Sequence, residues 1–111
     1  RLVDARGAER FRGDVEPIDT AGGHIPGAIN RPFAENLRSD GFFLSPEILR
    51  ERFQRVSSGR AERVVHYCGS GVTACHNVLA MEHAGLSGSR LYAGSWSEWI
   101  RDPARPVKKG D

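Results

Sequence analysis

The sequence predicts an α/β domain with a central parallel sheet and helices on both faces. Short apolar or β-branched runs alternate with helix-compatible runs along the chain, a pattern that implies parallel strands joined by crossover helices. Helix boundaries are marked by Ser45-Pro46-Glu47 at one start and Gly85 at one stop. These are a hydroxyl N-cap, a proline at the first helical position, an acid in the first turn and a glycine C-terminal stop. The run Val64–Tyr67 ends on Cys68-Gly69-Ser70-Gly71, a glycine-rich turn ahead of the next helix. Open α/β sheets bind their ligands beyond such strand ends.

In chain order, Leu2 to Ala5 is expected to be a strand end, and Gly7 to Gly13 a short helical turn around Phe11. Residues 14 to 23 are rich in Gly, Pro, Asp and Thr and are expected to form a loop. Ala28 to Asn30 follows the Pro26-Gly27 turn as a short strand. Leu49, Phe53 and Val56 recur at helical spacing after Ser45, until Ser57-Ser58-Gly59. Val64 to Tyr67 is a buried-type strand, Thr73 to Ala84 a helix, and Leu91-Tyr92 the next strand. Ser95 and Glu98 have the spacing of a capping box ahead of Trp99 and Ile100. The expected organisation is one domain over residues 1–101, its N-terminal edge missing because the chain opens inside a strand. A polar tail over 102–111 is expected to be mobile.

With 111 residues the chain holds one domain and one core. Hydrophobic residues at 39% and charged residues at 27% are ordinary for a soluble globular domain. A net charge of +2 gives no reason to expect nucleic acid or an anionic membrane surface as partner. No apolar run is long enough to span a membrane, and no signal-peptide pattern is visible. The two cysteines, Cys68 and Cys75, would close only a very short loop as a disulfide. Free thiols suit a reducing compartment, so a cytoplasmic location is expected.

The thiol at position 68 is the chemical focus. Gly69 and Gly71 can take positive φ and turn successive backbone N–H groups inward as an anion-binding nest. The helix starting near Thr73 adds its positive end. A thiol placed there ionises more readily than a free cysteine, and the thiolate is the nucleophile. A buried structural cysteine at a βα turn is the competing explanation. A zinc site does not fit, because Cys68, Cys75 and His76 lack the paired spacing such sites use. The Walker phosphate loop is absent. A cysteine-dependent phosphatase needs an arginine six residues after the cysteine to clamp phosphate, and position 74 is alanine. No cofactor and no metal are expected.

Cys68-Gly69-Ser70-Gly71-Val72-Thr73 resembles the active-site loop of the catalytic, C-terminal domain of rhodanese-type sulfurtransferases. The form CGSGVT is typical of 3-mercaptopyruvate sulfurtransferases, whereas mammalian-type thiosulfate sulfurtransferases carry basic residues directly after the cysteine. Three further stretches agree in family order: Val3–Arg6 with Arg10-Phe11, Gly23–Asn30, and Tyr92–Trp99. The resemblance implies a rhodanese-like three-layer fold. It implies a Cys68 persulfide formed from a small-molecule sulfur donor, 3-mercaptopyruvate foremost and thiosulfate as the alternative. The acceptor would be cyanide or a thiol, such as that of a thioredoxin-type protein. Gly69, Gly71, Val72 and Thr73 would line the substrate site, with Ser70 as a catalytic hydroxyl toward donor or leaving enolate. Arg10 matches a family arginine that contacts the donor carboxylate, and a guanidinium fork suits that group. A loop serine capping the helix and a surface arginine stay open as alternatives. Some mercaptopyruvate enzymes carry a second arginine in the next loop, where this chain has Glu16-Pro17-Ile18-Asp19-Thr20. Family enzymes with this loop pair two similar domains, so an N-terminal rhodanese domain is an expected partner. A noncatalytic rhodanese-like binding module is the rival of another class, and such modules often lack the cysteine.

The remaining conspicuous residues are expected to be structural. Asp4 and Arg6 would brace loops as a charged pair. His24 would be a hydrogen-bonding turn residue, and Trp96 and Trp99 core. Cys75 is expected to be a small buried residue, and His76 and His83 to be solvated. His66 lies in the strand before Cys68.

Overall fold

The structure, a computed structural model, describes residues 1–111. Four parallel strands form one sheet: β1 (Leu2–Asp4), β2 (Ile29–Asn30), β3 (Val65–Tyr67) and β4 (Arg90–Leu91), in the order β2-β1-β3-β4. The register pairs Val3 with Ile29 and with His66, and Asp4 with Asn30 and with Tyr67. The helices are α1 (Ala8–Arg12), α2 (Pro46–Ser57), α3 (Ala74–His83) and α4 (Ser95–Trp99). Two 3-10 turns, Phe33–Asn36 and Ala61–Arg63, had no clear signal in the sequence.

Side chains alternate across the sheet. Val3, Val64 and His66 face α2 and α3, packing with Leu49, Phe53, Ala80 and Met81. Tyr67 faces the other way, onto Ile25 and Trp96 of α4. Helices therefore cover both faces, as the alternating pattern predicts. α2 begins as its sequence dictates, with Ser45 Oγ accepting a hydrogen bond from the Ile48 N–H at 3.3 Å. It ends at Ser58, whose φ of 53° is the left-handed turn of a C-cap.

The Asp4–Arg6 pair is a buried brace. Arg6 Nη2 donates to Asp4 Oδ2 at 2.7 Å and to the Gly23 carbonyl at 2.6 Å, and the guanidinium lies over the Trp96 ring. One ion pair thus ties β1 to the end of loop 14–23 and to α4. His24 is the turn residue expected: its Nδ1 lies 2.7 Å from the Phe11 carbonyl, and its ring stacks on Phe11 at 3.7 Å.

Four expectations need correction. Ser95 does not cap α4. Its φ is 55°, Gly94 precedes the helix, and the Ser95 hydroxyl serves the cysteine loop instead. Cys75 is exposed, because α3 turns Ala74, Asn77, Ala80 and Met81 inward and position 75 falls off that stripe. His76 is half-buried among Phe33, Phe43 and Asn36, and burial lowers its pKa. The tail expected to be mobile is hydrogen-bonded to the domain. Lys108 exchanges two backbone hydrogen bonds with His24, at 2.8 and 2.9 Å, and Gly110 N–H donates to the Arg12 carbonyl. Backbone pairing of this kind leaves no side-chain signature to read.

His66 is fully buried, with Nε2 3.2 Å from Met81 Sδ, and burial lowers its pKa from 6.5 to about 4. The folded state therefore holds the neutral imidazole, while the unfolded chain takes up a proton below pH 6.5. Stability from this group is complete above pH 6.5 and lost as pH falls toward 4. Urea unfolding is expected to show a loss of roughly 3 kcal/mol across that window, and His66→Leu is expected to flatten the slope.

Candidate active site

β3 delivers Cys68 to the carboxyl edge of the sheet, where the residue is 1% exposed beside Ala5 and Ala74. The chain then turns sharply into α3. Gly71 makes the turn possible, with a φ of 94° and an N–H pointing at Cys68 Sγ at 3.1 Å. A Cβ at Gly71 would also run into the Ala93 carbonyl oxygen.

Two influences oppose each other at the sulfur. Burial pushes the Cys68 thiol up, because an ion loses water there. The Thr73 hydroxyl and the N–H groups of Ala74, Ser70 and Gly71 pull it down, and the net result lies below the ordinary thiol value. The donors win because they replace the missing water with fixed dipoles.

The segment after the cysteine is clamped from α4. Cys68 N–H donates to Ser95 Oγ at 3.1 Å, Trp96 N–H to the Cys68 carbonyl at 3.0 Å, and Ser97 N–H to the Gly69 carbonyl at 2.9 Å. Ser95 Oγ donates in turn to the Tyr92 carbonyl at 2.9 Å. The positive φ of Ser95 is the strain that aims this hydroxyl. The clamp was not read from the sequence. Its residues are Ser95-Trp96-Ser97, of which the capping-box spacing involves Ser95 alone.

A cavity of about 220 Å³ opens above the sulfur. Its walls include Arg10, Ile18, Asp19, Cys68, Gly69, Ser70, Val72, Thr73 and Ser97. All the sequence-proposed site residues except Gly71 line it, and Gly71 lies beneath it in contact with the sulfur. Ser70 is exposed at the rim, and its hydroxyl caps no helix, since Thr73 precedes α3. Val72 is 73% exposed.

Arg10 lies directly over Gly69, with its terminal nitrogens 3.3 and 3.4 Å from where a Cβ would sit there. One edge of its fork is already occupied. Arg10 Nε lies 3.4 Å from Glu16 Oε1, and Arg10 Nη2 lies 3.1 Å from Glu16 Oε2 and 3.5 Å from Asp19 Oδ2. Glu16 is itself anchored by the N–H groups of Ile18 and Asp19. Burial pushes its carboxyl up, but these bonds and Arg10 hold it below the usual range. Nη1 is left as the end of the guanidinium free to meet a ligand.

A buried, donor-ringed thiol at a βα turn, under a cavity with one arginine, is a candidate nucleophile. The rhodanese-like domain family profile matches residues 1–102, and the chain belongs to that family. It is 60% identical over 99% of its length to a probable 3-mercaptopyruvate sulfurtransferase from Pseudomonas aeruginosa, of which it covers 39%. It is 50% identical over 98% of its length to a putative thiosulfate sulfurtransferase from Mycobacterium tuberculosis, of which it covers 38%. Among solved structures, a 3-mercaptopyruvate sulfurtransferase from Leishmania major matches with a TM-score of 0.78 and 42% identity. That match covers 92% of this chain and 30% of the other. The chain thus spans about two fifths of the length of these curated relatives.

Gly71→Ala is expected to strain the turn and withdraw an N–H from the sulfur. Iodoacetamide alkylation of Cys68 at neutral pH, measured in a Cys75→Ser background, is expected to slow severalfold, because the thiolate loses one of its donors.

Proposed function

We propose that this chain is the persulfide-forming domain of a sulfurtransferase. The observation that carries the reading is the ring of donors around a buried Cys68 Sγ at the floor of a cavity. Such a ring stabilises an anionic sulfur without help from bulk water.

With 3-mercaptopyruvate, the Cys68 thiolate attacks the donor sulfur and a sulfur–sulfur bond forms. The donor's carbon–sulfur bond breaks, and its electron pair leaves on carbon as the enolate of pyruvate, which then takes a proton. With thiosulfate, attack on the outer sulfur breaks the sulfur–sulfur bond and sulfite departs with the pair. In either case the extra sulfur stays on Cys68 as a persulfide. A thiol or cyanide then attacks the outer sulfur, and the Cys68 thiolate is regenerated by the same nest that formed it.

The residues around the sulfur divide this work. Arg10 offers Nη1 to the donor's anionic end, close over Gly69. Ser70 presents a hydroxyl at the rim, in reach of a donor or a leaving enolate. Gly69 and Gly71 supply the turn, Thr73 a hydrogen bond to the sulfur, and exposed Val72 an apolar lip. Mercaptopyruvate is the leading donor because Gly69 and Ser70 put no cation after the cysteine to hold a dianion. The partner covering the open rim is an N-terminal rhodanese domain of the same polypeptide, consistent with the greater length of the relatives. Both cysteines are free thiols, which suits work in the cytoplasm.

The test is the intact mass of the full-length protein after brief exposure to either donor, for wild type and Cys68→Ser. One added sulfur atom on wild type alone is the expected outcome. No added sulfur from either donor on folded protein would sink the proposal in favour of a binding module.

A further inference from the structure

Loop 14–23 carries a second feature of the pocket wall. Asp19 lines the cavity with its side chain 14% exposed. Its Oδ1 is 3.0 Å from Ser97 Oγ, and that hydroxyl is 2.8 Å from the Gly69 carbonyl. Ser97 N–H already serves the same carbonyl. The hydroxyl proton is therefore available to the carboxylate, the stronger acceptor. Asp19 Oδ2 lies 3.5 Å from Arg10 Nη2, and the Asp19 N–H donates to Glu16 Oε2 at 2.8 Å. These contacts fix a negative charge one hydroxyl away from the residue that follows the nucleophile.

The charge balance at the pocket follows. Arg10 is the cation of the wall, and two carboxylates, Glu16 and Asp19, compensate it. Glu16 sits behind Arg10 and is bound by two backbone N–H groups, whereas Asp19 faces the cavity. A donor that enters meets one half-occupied guanidinium, one carboxylate and the Cys68 thiolate. Each further negative charge on the donor adds repulsion from Asp19 against the attraction of an Arg10 already paired with Glu16 and Asp19.

We infer that Asp19 is a specificity-determining residue of the donor pocket, favouring a monoanionic sulfur donor with a neutral thiol over a dianionic one. The inference rests on the sulfurtransferase reading above. Removing one unit charge several ångströms from the donor at a partly buried site is worth about tenfold in binding a second charge.

The experiment measures kcat/KM for 3-mercaptopyruvate and for thiosulfate on the full-length protein. The variants are Asp19→Asn, which keeps the size and the acceptor for Ser97, and Asp19→Ser as a second removal of the charge. Asp14→Asn removes a charge of the same loop, where the carboxylate is 58% exposed and outside the pocket. The expected result is a rise of about tenfold in the thiosulfate-to-mercaptopyruvate ratio for both Asp19 variants, through a lower thiosulfate KM. The Asp14 variant is expected to keep the wild-type ratio. An unchanged ratio in the folded Asp19 variants, or an equal shift in Asp14→Asn, would overturn the inference while leaving the sulfurtransferase reading intact. Wild-type protein that takes sulfur from neither donor would overturn both.

Discussion

A buried sulfur can carry negative charge only where fixed donors replace the water it has lost. The fold around Cys68 is arranged to meet that constraint. The thiol sits at the end of the central strand β3, with the start of α3 following directly, so backbone N–H groups of the turn converge on it. The turn cannot relax away from the sulfur, because Ser95, Trp96 and Ser97 hold Cys68 and Gly69 from the other side. α4 is placed in turn by Trp96, which is packed on Tyr67 and Ile25 and lies under the Arg6 guanidinium. The buried Asp4–Arg6 pair is thus a distant support of the nucleophile. Breaking it would leave a buried charge without a partner, a cost out of proportion to one surface contact.

The same brace organises the donor side. Arg6 holds the Gly23 carbonyl, and its Nη1 lies 3.6 Å from Glu16 Oε1. Loop 14–23 is pinned between these contacts, and Glu16 and Asp19 come to meet Arg10. Arg10 is held in place over Gly69 before any donor arrives. That preorganisation limits it to one free nitrogen, so recognition rests on local charge as much as on fork geometry.

The sequence revealed the elements whose signals are local. The N-cap at Ser45, the stop at Ser57-Ser58-Gly59, the strand before Cys68 and the glycine turn all lie in short stretches whose chemistry is self-contained. The resemblance added Arg10 and the order of the motifs. The features that escaped depend on residues far apart in the chain. Ser95 looked like a helix cap because its spacing to Glu98 fits one, yet tertiary contact drew its hydroxyl to a residue 27 positions earlier. Cys75 looked buried by residue type, but the helical phase of α3 turned it outward. Asp19 carried no motif, and only folding brings it beside Ser97, 78 positions away.

The central claim is that the donors around Cys68 outweigh its burial, so the loop favours the thiolate more than water favours that of a free cysteine. Its most direct measurement is an ultraviolet titration of thiolate absorbance, with Cys68→Ser subtracted to remove Cys75. The account predicts a Cys68 midpoint below the roughly 8.5 of a free cysteine. A midpoint at or above that value, in folded protein, would mean that burial outweighs the donors, and the nest would lose its assigned role.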